Sequence, residues 1–237
     1  MEKVKLICIP HAGAGANYYV KLKRLIKKNI EIYSIELPGR GRRITEPLLY
    51  DFSLALEDLL QQVIMLLQSK NDSYILFGHS LGSVFAFELA HKLIAQGYSS
   101  VHHLFLSGQA PVNHFNLENQ YSTINEEFKN EILQLGGIDS EFLKHEELMK
   151  LVLSVIFADY KTLYSYKYHP HTTMLHCDIT TFSGNSDPYI KSDIMDYWKD
   201  HTSGIHHKYV YDGGHFFIDS CIDDISDKIN KVSSLIR

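Results

Sequence analysis

Short apolar runs along the chain alternate with longer segments in which apolar residues recur every three or four positions. The runs are rich in Ile, Val, Leu and aromatic residues, and most of them lack the strict alternation of a half-exposed strand. Continuous apolar runs are typical of strands that are covered on both faces. The predicted strands are Val4–Ile9, Ile30–Ile35, Tyr74–Phe77, His103–Ser107, His176–Phe182 and His207–Tyr211.

The segments between these runs predict helices. Asp51–Gln68 begins with an aspartate that suits a helix cap, and one stripe of it carries the apolar residues Leu56, Leu59, Leu60, Val63 and Leu67. A second helix is predicted over Leu81–Ala95, because Gly97 follows it as a stop signal. Strands that alternate with helices in this way indicate βαβ units, so we expect an α/β fold with a mostly parallel sheet and helices on both faces.

One long insertion departs from this alternation. From Asn113 to Pro170 the pattern is helical throughout, apart from the Gly136-Gly137 pair. An insertion of this length between two core strands is usually functional, and we expect a lid over residues 113–170. The alternative is an extra helical layer with no role in substrate access. No repeat or linker is seen, so the lid is expected to belong to a single domain, residues 1–237.

The composition excludes several classes of function. Lys and Arg total 23 against 28 Asp and Glu, and the resulting charge of −5 argues against a nucleic-acid partner. No segment is apolar enough to span a bilayer, and the N-terminus lacks the features of a secretory signal. The three cysteines are widely spaced and odd in number, which is typical of buried thiols in a reducing compartment. We therefore expect a cytoplasmic protein with no membrane partner.

The candidate nucleophile is Ser80. Gly78-His-Ser-Leu-Gly82 matches the G-x-S-x-G motif, and it lies between a predicted strand and a predicted helix, as the motif requires. In so tight a turn, side chains at Gly78 and Gly82 would collide with the backbone. The backbone N–H of Leu81 is then expected to stabilise the oxyanion that forms when Ser80 attacks a carbonyl. The alternative is an inert serine in a turn.

The base is predicted to be His215. Because the chain has 14 histidines, each taken singly is more often structural than catalytic. His215 differs from the others because it follows the last strand, in a glycine turn that is flexible enough to bring the imidazole back to the serine. The remaining histidines include adjacent pairs, but no cysteine or carboxylate lies nearby at ligand spacing, so no metal is expected.

The acid is predicted to be Asp187. In α/β-hydrolases the chain order is Ser, then Asp or Glu, then His. Asp187 lies in the turn that follows the strand after the insertion, and it would hold the His215 tautomer. Asp178, within that strand, and Asp193, in the next helix, are poorer candidates. A role for Asp187 in turn formation alone remains the alternative.

The loop after the first strand, Ile9–Ala16, is expected to supply the second oxyanion donor. Its small residues allow backbone to approach a substrate, and we expect the N–H of Ala12 to donate, with Gly13 as the second choice. Together these residues predict a serine hydrolase that forms an acyl-enzyme from an ester or thioester.

Several ordered motifs resemble those of the type II thioesterases that accompany nonribosomal peptide and polyketide synthases. The resemblance runs through nearly the whole chain. Phe157 stands where that family usually has Arg, which leaves the role of that position open. The motifs are Cys8–Gly13, Leu37–Arg43, Gly78–Gly82, Leu106–Pro111, Leu133–Ile138, Phe157–Lys161, Trp198, His201-Thr202 and Gly214–Phe217.

This resemblance implies an α/β-hydrolase fold and an editing enzyme. Such an enzyme would hydrolyse stalled acyl or aminoacyl groups from the 4′-phosphopantetheine arm of carrier domains. It would need no cofactor of its own, since the arm belongs to the carrier, and we expect a monomer. Arg40, Arg42 and Arg43 lie in a loop where they would meet the arm's phosphate or acidic carrier helices; a solvated basic loop is the alternative.

Three other functions fit the residues. The first is a carboxylesterase or lipase, because ester and thioester hydrolysis need the same triad. The second is a thioesterase that ends fatty-acid chains at a set length. The third is a non-catalytic binding module, which an intact Ser80, Asp187 and His215 disfavours.

Overall fold

The strands form one parallel sheet in the computed structural model, which describes residues 3–114, 121–138 and 144–236. The sheet order is β2-β1-β3-β4-β5-β6, and every neighbouring pair is parallel. All six predicted strands are present, with no end displaced by more than two residues, so the expected α/β class is confirmed. The strands are β1 (Val4–Ile9), β2 (Ile30–Ser34), β3 (Tyr74–His79), β4 (Val101–Ser107), β5 (Asp178–Gly184) and β6 (His206–Tyr211).

Helices cover both faces of the sheet. α2 and α3 pack on one face, and α1 and α6 pack on the other, so each face has its own apolar core. β1 and β3 are buried at every position because they lie between these two layers. The helices of the described residues are α1 (Val20–Leu25), α2 (Phe52–Leu66), α3 (Leu81–Ala95), α4 (Glu126–Leu135), α5 (Glu146–Ser165) and α6 (Ile218–Ser233).

The predicted helix ends have identifiable causes. The Asp51 side chain accepts a hydrogen bond of 3.0 Å from the N–H of Leu54, so the expected cap of α2 is confirmed. α3 spans the predicted residues and is followed by Gly97 at φ +89°, a conformation that glycine adopts without strain. None of the helices in the described ranges combines the length and apolar composition of a bilayer span.

The described part of the insertion between β4 and β5 contains helices and no strand. It contributes α4 and α5, while residues 115–120 and 139–143 of the predicted lid lie outside the described residues. Phe128 and Ile132 of α4 pack with Leu153 and Ile156 of α5 in a small separate core. α5 is also joined to the main body, since Thr162 Oγ1 donates 3.0 Å to the Leu49 carbonyl.

Buried imidazoles make the fold sensitive to acid. His103 of β4 is 3% exposed, and its Nε2 is hydrogen-bonded to Thr180 Oγ1 at 2.7 Å. Burial lowers the pKa of His103, and likewise that of His91 in α3, from 6.5 to about 4. Below pH 6.5 the unfolded chain therefore binds protons that the folded chain does not bind.

We predict that the contribution of these neutral histidines to the free energy of unfolding is fully present above about pH 6.5. It is lost progressively as the pH falls toward 4. His103→Gln should lower the free energy of unfolding at pH 7.5. Between pH 7.5 and 5.0, however, the free energy of unfolding of the variant should fall by about 2 kcal/mol less than that of the wild type. Urea unfolding at several pH values measures this difference. His169→Gln, at an exposed position, is the control, and equal pH slopes for His103→Gln and wild type would contradict the prediction.

Candidate active site

Ser80 lies on a strained turn between β3 and α3. Its φ is +53°, and it is the only non-glycine residue of the described ranges with a positive φ. A Cβ added at Gly78 would lie 2.1 Å from the Gly82 carbonyl oxygen, and one added at Gly82 would lie 2.1 Å from the Ile9 carbonyl oxygen. The two glycines are therefore required for the steric reason that the sequence indicated. The geometry is that of a nucleophile elbow.

Asp187 and His215 form a buried pair. The Nδ1–H of His215 donates to Asp187 Oδ2 at 2.7 Å. The other carboxylate oxygen accepts hydrogen bonds from the backbone N–H groups of Tyr189 and Ile190, at 2.9 and 3.1 Å. With its proton held on Nδ1, the neutral imidazole has a lone pair on Nε2, which is the arrangement that a general base needs.

Backbone contacts hold the loops that carry these two side chains. The Ser186 N–H donates 2.9 Å to the Gly213 carbonyl, and the Gly213 N–H donates 3.1 Å to Asn185 Oδ1. A Cβ at Gly184 would lie 2.4 Å from the carbonyl oxygens of Gly213 and Gly214. The sequence suggested a flexible glycine turn before His215. In the structure the glycines instead allow two loops to pack tightly, so the turn is held in place.

Ser80 and His215 line one cavity, of about 400 Å³, together with both expected oxyanion donors, Ala12 and Leu81. The structure contradicts the second choice of oxyanion donor, Gly13. Its N–H donates 2.7 Å to Asp159 Oδ2 and is therefore occupied. The remaining walls come largely from the insertion and from residues that follow Asp187.

Arg40 does not lie at the surface, contrary to the expectation that it meets a carrier. It is 6% exposed, and its guanidinium pairs with Asp159 through both terminal nitrogens, Nη2 to Oδ1 at 2.7 Å. Arg43 is likewise engaged, with Glu46 and Asp58. The Arg42 side chain is 81% exposed, with its Nε 3.6 Å from Glu36, so only Arg42 of the three is placed to meet a partner.

Two buried carboxylates, Asp159 and Glu36, organise the loops around the cavity, and sequence reasoning missed both. Asp159 of α5 joins the insertion to the loops after β1 and β2 through Gly13 and Arg40. Glu36 accepts hydrogen bonds from the backbone N–H groups of Ala16 and Arg42, at 2.9 and 3.0 Å.

Asp159 was visible in the sequence only as part of the Phe157–Lys161 motif. Glu36 had one signal, a charge within an apolar stretch before a basic loop.

Phe157, at the position where Arg is usual, belongs to the core of the insertion. Its ring lies 5.5 Å from that of Phe128, edge to face, and Lys161 Nζ lies 5.8 Å from its centroid. The aromatic side chain therefore packs α5 against α4, which a guanidinium would not do in the same way.

Two further imidazoles, those of His79 and His11, lie near His215. The ring of His79 lies 5.2 Å from that of His215, and His11 packs against Phe216 at 4.8 Å. Burial, with the neighbouring His215 as a smaller cause, lowers the pKa of His11 to about 4 and that of His79 well below 6.5. Both rings are therefore neutral at pH 7.

The buried pair of Arg40 and Asp159 gives a stability prediction. Asp159→Ala leaves the Arg40 charge buried without its partner, and we expect a loss of about 3–5 kcal/mol in the free energy of unfolding, measured by urea titration. Asp58→Ala is the matched control, because Arg43 is more exposed and keeps Glu46; it should cost about 1 kcal/mol or less.

The double variant Arg40→Met/Asp159→Leu removes both charges and should recover much of the loss that Asp159→Ala causes. If Asp159→Ala cost no more than Asp58→Ala, the ion pair would not have the structural role assigned to it.

Comparison with known proteins places this geometry in one family. The thioesterase domain model matches residues 4–232. The thioesterase PikA5 of Streptomyces venezuelae is 31% identical over 232 residues, which are 95% of this chain and 81% of PikA5. The medium-chain S-acyl fatty acid synthase thioesterase of Homo sapiens is 32% identical over 231 residues, 96% of this chain and 84% of that protein.

A solved structure agrees in fold. The type II thioesterase BorB from the borrelidin biosynthetic cluster superimposes with a TM-score of 0.85 at 27% identity, covering 98% of this chain and 93% of BorB. The α/β-hydrolase fold and the resemblance read from the motifs are therefore confirmed: the chain belongs to the thioesterase family, and it is a thioester hydrolase with type II thioesterases among its relatives.

Proposed function

We propose that the chain hydrolyses thioesters through Ser80, His215 and Asp187. The observation that carries this proposal is that Ser80 and His215 line one cavity, with His215 hydrogen-bonded to the buried Asp187. His215 takes the Ser80 proton as Oγ attacks the thioester carbon, and the backbone N–H groups of Ala12 and Leu81 stabilise the oxyanion.

The second half of the reaction uses the same groups. The C–S bond breaks, the thiol leaves with the proton from His215, and an acyl-serine remains. His215 then activates water, which attacks the acyl-serine and releases the acid. Asp187 keeps its charge throughout, orients the imidazole and stabilises the imidazolium.

The substrate that we propose is an acyl or aminoacyl group on the 4′-phosphopantetheine arm of a carrier domain. Hydrolysis of stalled groups would restore the free thiol of a nonribosomal peptide or polyketide synthase. The support is the similarity to PikA5 and BorB, the latter from a biosynthetic cluster. The enzyme itself would need no cofactor, because the arm enters as part of the substrate.

The insertion would act as a lid in this scheme. α4 and α5 supply much of the cavity wall and have a small core of their own. Asp159 joins the C-terminal half of α5 to the loop that carries Ala12. The part of the lid nearest this contact would therefore move least.

A second candidate function is the release of fatty acids of a set length. The similarity to the human medium-chain fatty acid synthase thioesterase favours it. Hydrolysis of a panel of acyl and aminoacyl carrier proteins, coenzyme A thioesters and p-nitrophenyl esters separates the candidates. Editing predicts activity on many carrier-bound groups, chain termination predicts one preferred length, and an esterase prefers the oxygen esters.

For the proposed triad, we predict that Ser80→Ala and His215→Ala lose nearly all turnover, about 10⁴-fold or more, since the residues act as a unit. Asp187→Asn should be defective but should retain more activity. Steady-state hydrolysis measures turnover, and labelling by a fluorophosphonate measures the reactivity of the serine. Ser234→Ala, at an exposed position after α6, is the control; wild-type turnover by purified Ser80→Ala would show that the nucleophile is wrong.

For the carrier, we predict a higher kcat/KM for an acyl group on a holo-carrier than for the same group on coenzyme A or N-acetylcysteamine. An editing enzyme meets many acyl groups, and one methylene contributes only about 1–3 kcal/mol of discrimination, so contacts with the shared carrier are the better source of selectivity.

Arg42→Ala should reduce this carrier preference and leave the small thioester nearly unchanged. Arg24→Ala is the matched control, because it removes an exposed guanidinium near the end of α1, a helix that contributes no residue to the cavity lining. Equal kcat/KM for carrier-bound and small thioesters, across several acyl groups, would reject carrier recognition.

A further inference from the structure

The cavity above Ser80 contains one carboxylate that the proposed reaction does not use, Glu131 of α4. Most of the surrounding wall is apolar. Among the described residues that line the cavity there is no lysine or arginine, and one lining imidazole, His11, is neutral at pH 7 because burial lowers its pKa to about 4. Glu131 is the only aspartate or glutamate among the described lining residues, so the anionic charge of this wall comes from it.

Glu131 is surrounded by tyrosines rather than by cations. The Tyr121 hydroxyl donates a hydrogen bond to Oε2 of Glu131, and no lysine or arginine in the described part of the chain forms an ion pair with this carboxylate. Tyr160, Tyr164 and Tyr189 also line the cavity. Burial, followed by the charge of Glu131, raises the pKa of Tyr164 to about 12, so these hydroxyls keep their protons and leave the negative charge in place.

The position of α4 along the cavity wall separates this half-buried carboxylate from the catalytic residues. After α4 ends, Gly137 packs on the Phe216 ring, where an added Cβ would lie 2.4 Å from the ring, and Phe216 adjoins His215 at 5.3 Å. Glu131 lies five residues before Gly136, or about 7.5 Å along the helix axis. Leu135, four residues after Glu131, also lines the cavity between these points. The carboxylate therefore lies more than one helical turn from the end of α4 that contacts Phe216.

We propose that Glu131 binds a protonated amine at the far end of the acyl group, so that the enzyme favours acyl chains that end in an ammonium over uncharged chains of equal length. An α-amino group lies beside the carbonyl and does not extend along the cavity to Glu131. Tyrosine hydroxyls complete the site as hydrogen-bond acceptors. A cation that leaves water for an apolar chamber needs such an anionic partner. This inference rests on the proposed function and names the substrate class of the same cavity.

The experiment uses matched pairs of N-acetylcysteamine thioesters, aminohexanoyl with heptanoyl and aminooctanoyl with nonanoyl. Each pair differs in having an ammonium or a methyl group at the chain end. Glu131→Gln keeps the size of the side chain and removes its charge. We expect kcat/KM for at least one amine-ended thioester to fall about tenfold in this variant, with no matching fall for its methyl-ended partner.

Glu127→Gln is the control variant. Glu127 lies one turn earlier on α4, is exposed and does not line the cavity, so the same loss of charge there should leave the amine-to-methyl ratio unchanged. If Glu131→Gln lowered both members of each pair equally, Glu131 would only fasten the insertion through Tyr121. That result, or an unchanged ratio at both lengths, would overturn the proposal.

A second measurement separates this inference from the proposed function. Amine-ended and methyl-ended alkyl fluorophosphonates label a reactive serine without any thioester. A labelling rate that depends on both the ammonium and Glu131, in an enzyme that hydrolyses no thioester, would reject the proposed function and support the amine site. Thioester hydrolysis with no such dependence, in turnover or labelling, would reject the amine site alone.

Discussion

The close approach of three backbone segments at the Ser80 elbow is the constraint on which the site depends. Gly78 lies against Gly82 across the turn, and Gly82 lies against the Ile9 carbonyl at the end of β1. The first contact forces the positive φ of Ser80, and the second brings the start of α3 to the loop that carries Ala12. The distance between the serine and that loop is thus set by packed backbone, which does not relax as side chains do.

A buried ion pair extends this order to the insertion. Asp159 contacts the Gly13 N–H and the Arg40 guanidinium, so one carboxylate joins α5 to two loops of the core. Desolvation makes such a pair a poor source of net stability compared with apolar residues of similar volume. Its geometric demand is high, however, because two guanidinium nitrogens and one backbone N–H must meet the same two oxygens. The pair therefore serves the placement of the loops better than it serves stability.

The electrostatics of the cavity divide into two parts. Near Ser80, burial keeps His11 and His79 neutral, so the imidazole that is hydrogen-bonded to Asp187 has no cationic neighbour among them. At the far end, Glu131 contributes a negative charge among tyrosines whose hydroxyls keep their protons. A chamber of this kind discriminates by charge along its length, whereas its apolar walls discriminate only weakly by size.

The sequence by itself determined the strands, α2 and α3, because apolar runs and helical periods are local patterns that record burial. It also led to the proposed triad of Ser80, Asp187 and His215, since a glycine elbow, an acid turn and a final glycine turn are local signals whose order along the chain is informative.

Where sequence reasoning failed, the cause was pairing between distant residues. Arg40 looks like a surface cation until Asp159, far along the chain, is brought against it. Gly13 looks like an available donor until the same carboxylate occupies its N–H. The place of Glu131 in the cavity wall likewise depends on how the segment after α4 packs on Phe216. These are properties of contacts, which only the tertiary structure decides, because burial and partner together determine whether a charge meets solvent, substrate or another charge.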